Sequence, residues 1–119
     1  MPQKFKAQNP TKNPLDFFRE RGGFVIENDH GWVNYYIMPS GVGYLENMYI
    51  YPESRKSQNG TYLLSIFEME LRELRGVSFY YTTISRKAGE PDNTLQICLK
   101  RGFKFHASSD DAIILKKEI

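Results

Sequence analysis

An alternating apolar run that stops at a proline and restarts as a helix behind a glycine constrains this chain more than any other feature. The run is Tyr44-Leu-Glu-Asn-Met-Tyr-Ile-Tyr51, the break is Pro52-Glu-Ser-Arg-Lys-Ser-Gln-Asn-Gly60, and Thr61-Tyr-Leu-Leu64 opens the next element. The change from a period of two to a helical period reads as strand, loop and helix in succession. At such a junction the first backbone N–H groups of the helix lack carbonyl partners, and with the positive end of the helix dipole they favour a bound anion. The local charges agree: Arg55 and Lys56 stand in the loop, no carboxylate occurs from Gln58 through Phe67, and the first is Glu68. A helix start that serves only itself usually carries Asp or Glu there. The loop alone still leaves open an ordinary turn with two solvated basic residues.

The rest of the chain reads as one domain over residues 1–119, since 119 residues with 40% hydrophobic content supply one core and no more. A net charge of +2 argues against a dedicated nucleic-acid or polybasic membrane surface. The single cysteine, Cys98, excludes an internal disulfide, and no apolar stretch follows Met1-Pro-Gln-Lys4 that would serve as a signal peptide or membrane span. A reducing, cytoplasmic setting is therefore expected. With His30 in a turn and His106 in a late strand, no cluster has metal-ligand spacing, and no metal is expected.

Residues 1–13 read as a polar arm carrying Lys4, Lys6 and Lys12. Asn13-Pro14 reads as the cap and first residue of a short helix over Leu15 to Arg21, anchored by Phe17 and Phe18 and stopped by Gly22-Gly23. Three antiparallel strands are expected from Phe24, from Trp32 to Met38 and from Val42 to Tyr51, with turns at Asn28-Asp-His-Gly31 and Pro39-Ser-Gly41. Leu63, Leu64, Phe67, Leu71 and Leu74 give a helix from Thr61 to Arg75 one apolar stripe, and Gly76 ends it. Val77 to Ser85 reads as a strand, and Asp92 or Asn93 as the cap of a helix running to Arg101. Two final strands lie near Phe103 to Ala107 and Ala112 to Lys117. After the short first helix the order is β-β-β-α-β-α-β-β, a mixed α/β layout.

In that setting, Arg55-Lys-Ser-Gln58-Asn-Gly60 resembles motif A of the GNAT superfamily, the acetyl-CoA-dependent N-acyltransferases: Arg or Gln, two residues, Gly, one residue, then Gly or Ala. The resemblance runs from Gly23 to Ile119, with Gly102-Phe103 matching the family's closing Gly-Phe and Lys100 the basic residue before it. It implies a GNAT-like fold, a mostly antiparallel central sheet flanked by helices, with acetyl-CoA or coenzyme A as the cofactor. It further implies that the loop Arg55, Lys56, Ser57, Gln58, Asn59, Gly60 and Thr61 wraps the pyrophosphate in backbone amides. Backbone groups of Met48 and Ile50 would meet one side of the pantetheine arm and Thr83 to Ser85 the other. Asn93 would hydrogen-bond the arm, an N-cap role being its equal alternative. Two positions depart from the pattern: Gln58 replaces the middle glycine, and Cys98 replaces the tyrosine four residues before the closing glycine. The front end is also short, which bears on the acceptor site.

The implied reaction is direct attack of a neutral amine on a thioester, with no covalent enzyme intermediate. It needs a base for the ammonium proton, a donor for the developing oxyanion and help for the departing thiolate. Glu46, expected on one strand face with Tyr44, Met48 and Ile50, is the candidate base, and pairing with a basic neighbour is its alternative. The N–H of Met48 is the candidate oxyanion donor. Cys98 is the candidate acid, weighed against a packing role, with Tyr80 or Tyr81 as substitutes. The acceptor is expected to be a small-molecule or peptide amine. The competing readings are a non-catalytic CoA-binding or protein-interaction domain, and a nucleic-acid module using Lys4, Lys6, Lys12, Arg55 and Lys56. Exposed aromatics and the open front are compatible with a homodimer.

Overall fold

The computed structural model describes residues 15–87, 89 and 91–119, so the polar arm and the Asn13-Pro14 cap lie outside the described residues. Helix α1 (Asp16–Glu20) leads into strands β1 (Phe24–Asn28), β2 (Gly31–Ile37) and β3 (Gly43–Ile50). A 3-10 turn (Pro52–Ser54) precedes helix α2 (Asn59–Met69), which continues as a π turn (Glu70–Leu74). Strand β4 (Phe79–Ser85), helix α3 (Pro91–Lys100), β5 (Lys104–Ser108) and β6 (Ala112–Glu118) complete the order. The strands form one sheet, β1-β2-β3-β4-β6-β5, antiparallel throughout except where β3 and β4 run parallel.

The core lies between this sheet and α2. Val33 and Tyr35 of β2 alternate toward α2, whose Leu63, Phe67 and the following Leu71 are fully buried. Aromatic rings continue the packing across the strands: Tyr35 to Phe67 at 5.1 Å, Phe67 to Tyr80 at 4.9 Å and Tyr80 to Phe103 at 5.5 Å between centroids. Edge-to-face geometry of this kind adds to area burial. Leu95 and Cys98 bring α3 against the same core. On the other face α1 rests its Phe18 ring 5.5 Å from Trp32.

Two local expectations change. Leu74 does not join the apolar stripe but is 65% exposed. The π turn explains it: Arg75 N–H reaches back to Glu70 O at 3.2 Å, a wider repeat than an α turn, so the residues after Leu71 fall out of phase with the core face. The same turn sends Glu70 and Arg75 to the phenol of Tyr35, with Arg75 Nε donating at 3.2 Å and its guanidinium 3.8 Å over Phe24. Burial, reinforced by the bond to Glu70, pushes the Tyr35 phenol up to about 12. In α3, Pro91 is the first helical residue, so Asp92 and Asn93 lie inside the first turn rather than at its cap. Proline suits that position because the N–H it lacks would have no helical partner.

Candidate active site

The site begins where β3 and β4 part. Their parallel pairing lasts for three positions, Gly43 with Tyr80, Tyr44 with Tyr81 and Leu45 with Thr82. The parting coincides with a bulge in β3: opposite β2, Asn34 faces Asn47 and Tyr35 faces Leu45, so Glu46 is an extra residue without a cross-strand partner. The fork is closed at its apex by Thr82 Oγ1 donating to Leu45 O at 2.9 Å and by Tyr44 OH donating to Thr83 Oγ1 at 2.9 Å. Above it opens a cleft of about 370 Å³ lined by Glu46, Met48, Ile50, Thr82, Thr83, Thr94, Cys98 and Arg101, among others. The bulge also corrects the expected face pattern. Met48 and Ile50 point toward Gly60 of α2, whereas Tyr44 reaches Thr83 on the opposite face, and Glu46 shares that face beside Asn34.

Next to the cleft lies the loop. Lys56 (φ 67°) and Gln58 (φ 63°) both occupy the left-handed region, the backbone habit of anion-cradling turns. Gln58 thus adopts the conformation that a glycine would supply without strain. The first helical bond of α2 runs from Tyr62 N–H to Gln58 O at 3.0 Å, which leaves the amides of Asn59, Gly60 and Thr61 with no helical carbonyl to meet. The first turn has neither a side-chain cap nor an acidic residue. Ser57 and Asn59 brace the loop from within: Asn59 Nδ2 donates to Ser54 O and to Ser57 Oγ, both at 2.9 Å, and Ser57 Oγ donates to Ser54 O at 3.1 Å. Their side chains serve the loop, and their amides remain for a ligand.

A depression of about 380 Å³ covers these amides and is walled by Arg55, Lys56 and Arg101. Arg55 is held by its Nε donating to Ile50 O at 2.8 Å, with its guanidinium 5.3 Å over the Tyr49 ring. Arg101 was not legible as a site residue, although it stands three residues beyond Cys98 in the turn that ends α3, a spacing that could have flagged it. It lines both the depression and the cleft, and its Nη2 lies 3.6 Å from where a Cβ on Gly60 would be. Among the described residues Arg101 has no ion-pair partner.

The remaining candidates separate. Cys98 lines the cleft, and burial pushes its thiol pKa up, against the opposing charges of Arg101 and Lys117. Tyr80 is fully buried and donates to Glu68 Oε2 at 2.6 Å, an oxygen that Lys117 Nζ also meets at 2.8 Å. Burial and then Glu68 push the Tyr80 pKa far up, so this phenol keeps its proton and is a poor donor. Tyr81 packs its ring against His106 on the other face, with centroids 4.8 Å apart and the planes tilted by 58°. Neither tyrosine lines the cleft. Asn93 is exposed, and Thr94 is the residue of that turn lining the cleft. His30 meets Ser54 Oγ through Nδ1 at 2.9 Å, a loop-bracing contact. Among the described residues no His, Cys, Asp and Glu group gathers as a metal site, and no helix is long and apolar enough to cross a membrane.

No family model matches the sequence, and no curated protein matches it. Solved structures do. The chain is similar to a PaiA N-acetyltransferase from Thermoplasma acidophilum in complex with coenzyme A, with a TM-score of 0.63 and 20% identity over 76% of this chain and 54% of that one. It is similar to a GNAT family acetyltransferase from Elizabethkingia anophelis with acetyl-CoA bound, at TM-score 0.69 and 14% identity over 93% and 85% of the two chains. A protein of the GNAT family from Desulfovibrio desulfuricans gives 0.71 and 22% identity over 87% and 73%. The chain thus spans about half the length of the first of these. The likeness establishes the fold: this chain has the GNAT fold, with its mixed sheet parted between β3 and β4.

Proposed function

We propose that this chain is an N-acyltransferase that binds acetyl-CoA and passes the acetyl group directly to a primary amine. The observation that carries the reading is the continuity of the two hollows. Unpartnered helix amides with a basic rim adjoin a cleft in the sheet, and Arg101 belongs to both. A diphosphate fits the first by charge and by donor chemistry. A narrow polar-ended arm fits the second, whose wall mixes Met48, Ile50 and Cys98 with Thr82, Thr83 and Thr94.

In this reading the amides from Lys56 to Thr61 hold the pyrophosphate, assisted by Arg101, while Ser57 and Asn59 keep the loop in shape. Backbone groups of Met48 and Ile50 orient the arm, and the Met48 N–H faces the carbonyl oxygen that gains charge. Acetyl-CoA supplies an activated thioester. Glu46 removes a proton from the incoming amine, directly or through a water. Cys98 packs α3 rather than acting as the acid, since a raised thiol pKa and a small apolar surround suit a core residue. Without the family's tyrosine, the departing thiolate leaves with solvent as its proton source. The fold relatives that carry CoA or acetyl-CoA support this reading.

Calorimetric titration with CoA and acetyl-CoA tests the cofactor site. The parent is expected to bind at roughly micromolar Kd. Gly60→Glu should abolish binding by placing a carboxylate among the amides, while the fold persists because the nearest atoms to a Cβ there are side-chain atoms at 3.4 Å or more. Arg101→Gln should weaken it about tenfold, the scale of one charge-assisted contact. No binding by the folded parent would overturn the reading. Binding without turnover on a broad amine panel would favour a non-catalytic CoA-binding domain, the reading to which the loss of tyrosine at Cys98 lends weight.

A further inference from the structure

Among the described residues Asn34 is a fully buried polar side chain, enclosed in the middle of β2. Its neighbours Val33 and Tyr35 face α2, so its amide points to the opposite side of the sheet, where the bulge of β3 brings Glu46 and Asn47 side by side. Burying an amide without partners is unfavourable, because the hydrogen bonds it made to water are lost. Asn34 is satisfied when its amide is turned so that Nδ2 donates to Glu46 Oε1 at 2.9 Å and Oδ1 accepts from Tyr35 N–H at 3.1 Å; in the opposite orientation Oδ1 accepts from Asn47 Nδ2 at 3.1 Å but stands against the Glu46 carboxylate. Gly23 makes room for it, since a Cβ there would lie 2.9 Å from the outer atom of the Asn34 amide, the place that Oδ1 takes in the satisfied orientation. A rigid, dry donor therefore holds one oxygen of the carboxylate of Glu46, a residue that has no cross-strand partner and lines the cleft.

We propose that Asn34 is the positioning residue for Glu46: it anchors one carboxylate oxygen so that the other meets the amine. The inference rests on the reading of Glu46 as the proton acceptor in amine acylation, and the experiment separates the two. A bulged strand residue has more freedom than a paired one, so a flexible glutamate at this place needs an external hold to keep reactive geometry. The donor is uncharged and cannot itself take the proton, which leaves the base function with Glu46.

The test combines Asn34→Leu, close in size but without donors, with Glu46→Gln and the double variant. Thiol release from acetyl-CoA is followed with three amine probes: a polyamine, an amino-acid ester and a lysyl peptide. Asn34→Leu is expected to lower kcat about tenfold, less than the roughly hundredfold or greater loss on removing a general base itself, with KM for acetyl-CoA unchanged. In the Glu46→Gln background the same substitution should have no further effect, whereas a merely structural role would add its loss in both backgrounds. The side-chain amide resonances of Asn34 in labelled parent protein should be slow to exchange and should move on Glu46→Gln. An unchanged kcat for Asn34→Leu beside a slow Glu46→Gln overturns the positioning role, as do amide resonances indifferent to Glu46. An unchanged rate for Glu46→Gln, or a parent with no turnover on any probe, overturns the reading beneath it. Melting curves show whether Asn34→Leu is folded, and if it is not, the amide resonances of the parent and of Glu46→Gln decide.

Discussion

Replacing Gln58 by glycine probes the backbone geometry of the loop from Arg55 to Thr61. Gln58 precedes α2 at φ 63° and ψ 12°. A residue with a Cβ is disfavoured in that region by about 1–2 kcal/mol, whereas glycine enters it freely. Glycine offsets part of the gain through the larger freedom of its unfolded chain, about 0.5–1 kcal/mol. Little else is lost, because the Gln58 side chain is exposed and forms no cap bond. The balance is a stabilisation of about 0.5–1 kcal/mol, or about 2–4 °C in Tm for a domain of this size. Gln58→Ala keeps the Cβ and should stay near the parent, and Gln58→Val should fall by about 1 kcal/mol or more because branching at Cβ sharpens the clash. Thermal melts and urea titrations of the ligand-free protein measure all three, and calorimetry with CoA should find the glycine variant binding at least as tightly as the parent. A glycine variant less stable than the alanine variant would refute the reasoning: residue 58 would then not be left-handed in solution, and the loop would not turn its amides as described.

Lys117→Met should destabilise the fold by about 2 kcal/mol, since it leaves Glu68 enclosed with only the Tyr80 hydroxyl for company. The double variant Lys117→Met with Glu68→Gln should recover part of that loss, and urea unfolding of the set checks the coupling. Cys98→Ala should leave kcat within about twofold of the parent, as expected of a packing residue. Because burial raises the Cys98 pKa, its thiolate fraction at pH 8 is below that of a free cysteine, so iodoacetamide should alkylate it more slowly than free cysteine. Faster alkylation would mean that the charges of Arg101 and Lys117 outweigh burial, and would return Cys98 to candidacy as the acid.

Much of this protein could be read from neighbouring residues alone. The element order, the turn at Gly31, the stop of α2 before Gly76 and the loop from Arg55 to Thr61 all depend on periodicity, backbone preference and helix-end chemistry, which act over a few residues. The absence of carboxylates at the start of α2 is likewise a local feature, which the structure keeps as a first turn without an acidic residue. What the tertiary structure decided are relations between strands and helices. The bulge at Glu46 is a property of β2 and β3 together, because register shows only when a partner strand is aligned, and it moved Glu46 away from the face of Met48 and Ile50. Asn34 carries no mark in the sequence that sets it apart from an ordinary strand residue, and only packing showed that its amide meets Glu46. Leu74 kept its helical spacing in the sequence and lost its core face to a π turn. Arg101 reached Gly60 from another helix. Local bonding energies set the loop and the elements; the placement of charges and acids around the cleft followed from how the core closes, which no short window of sequence contains.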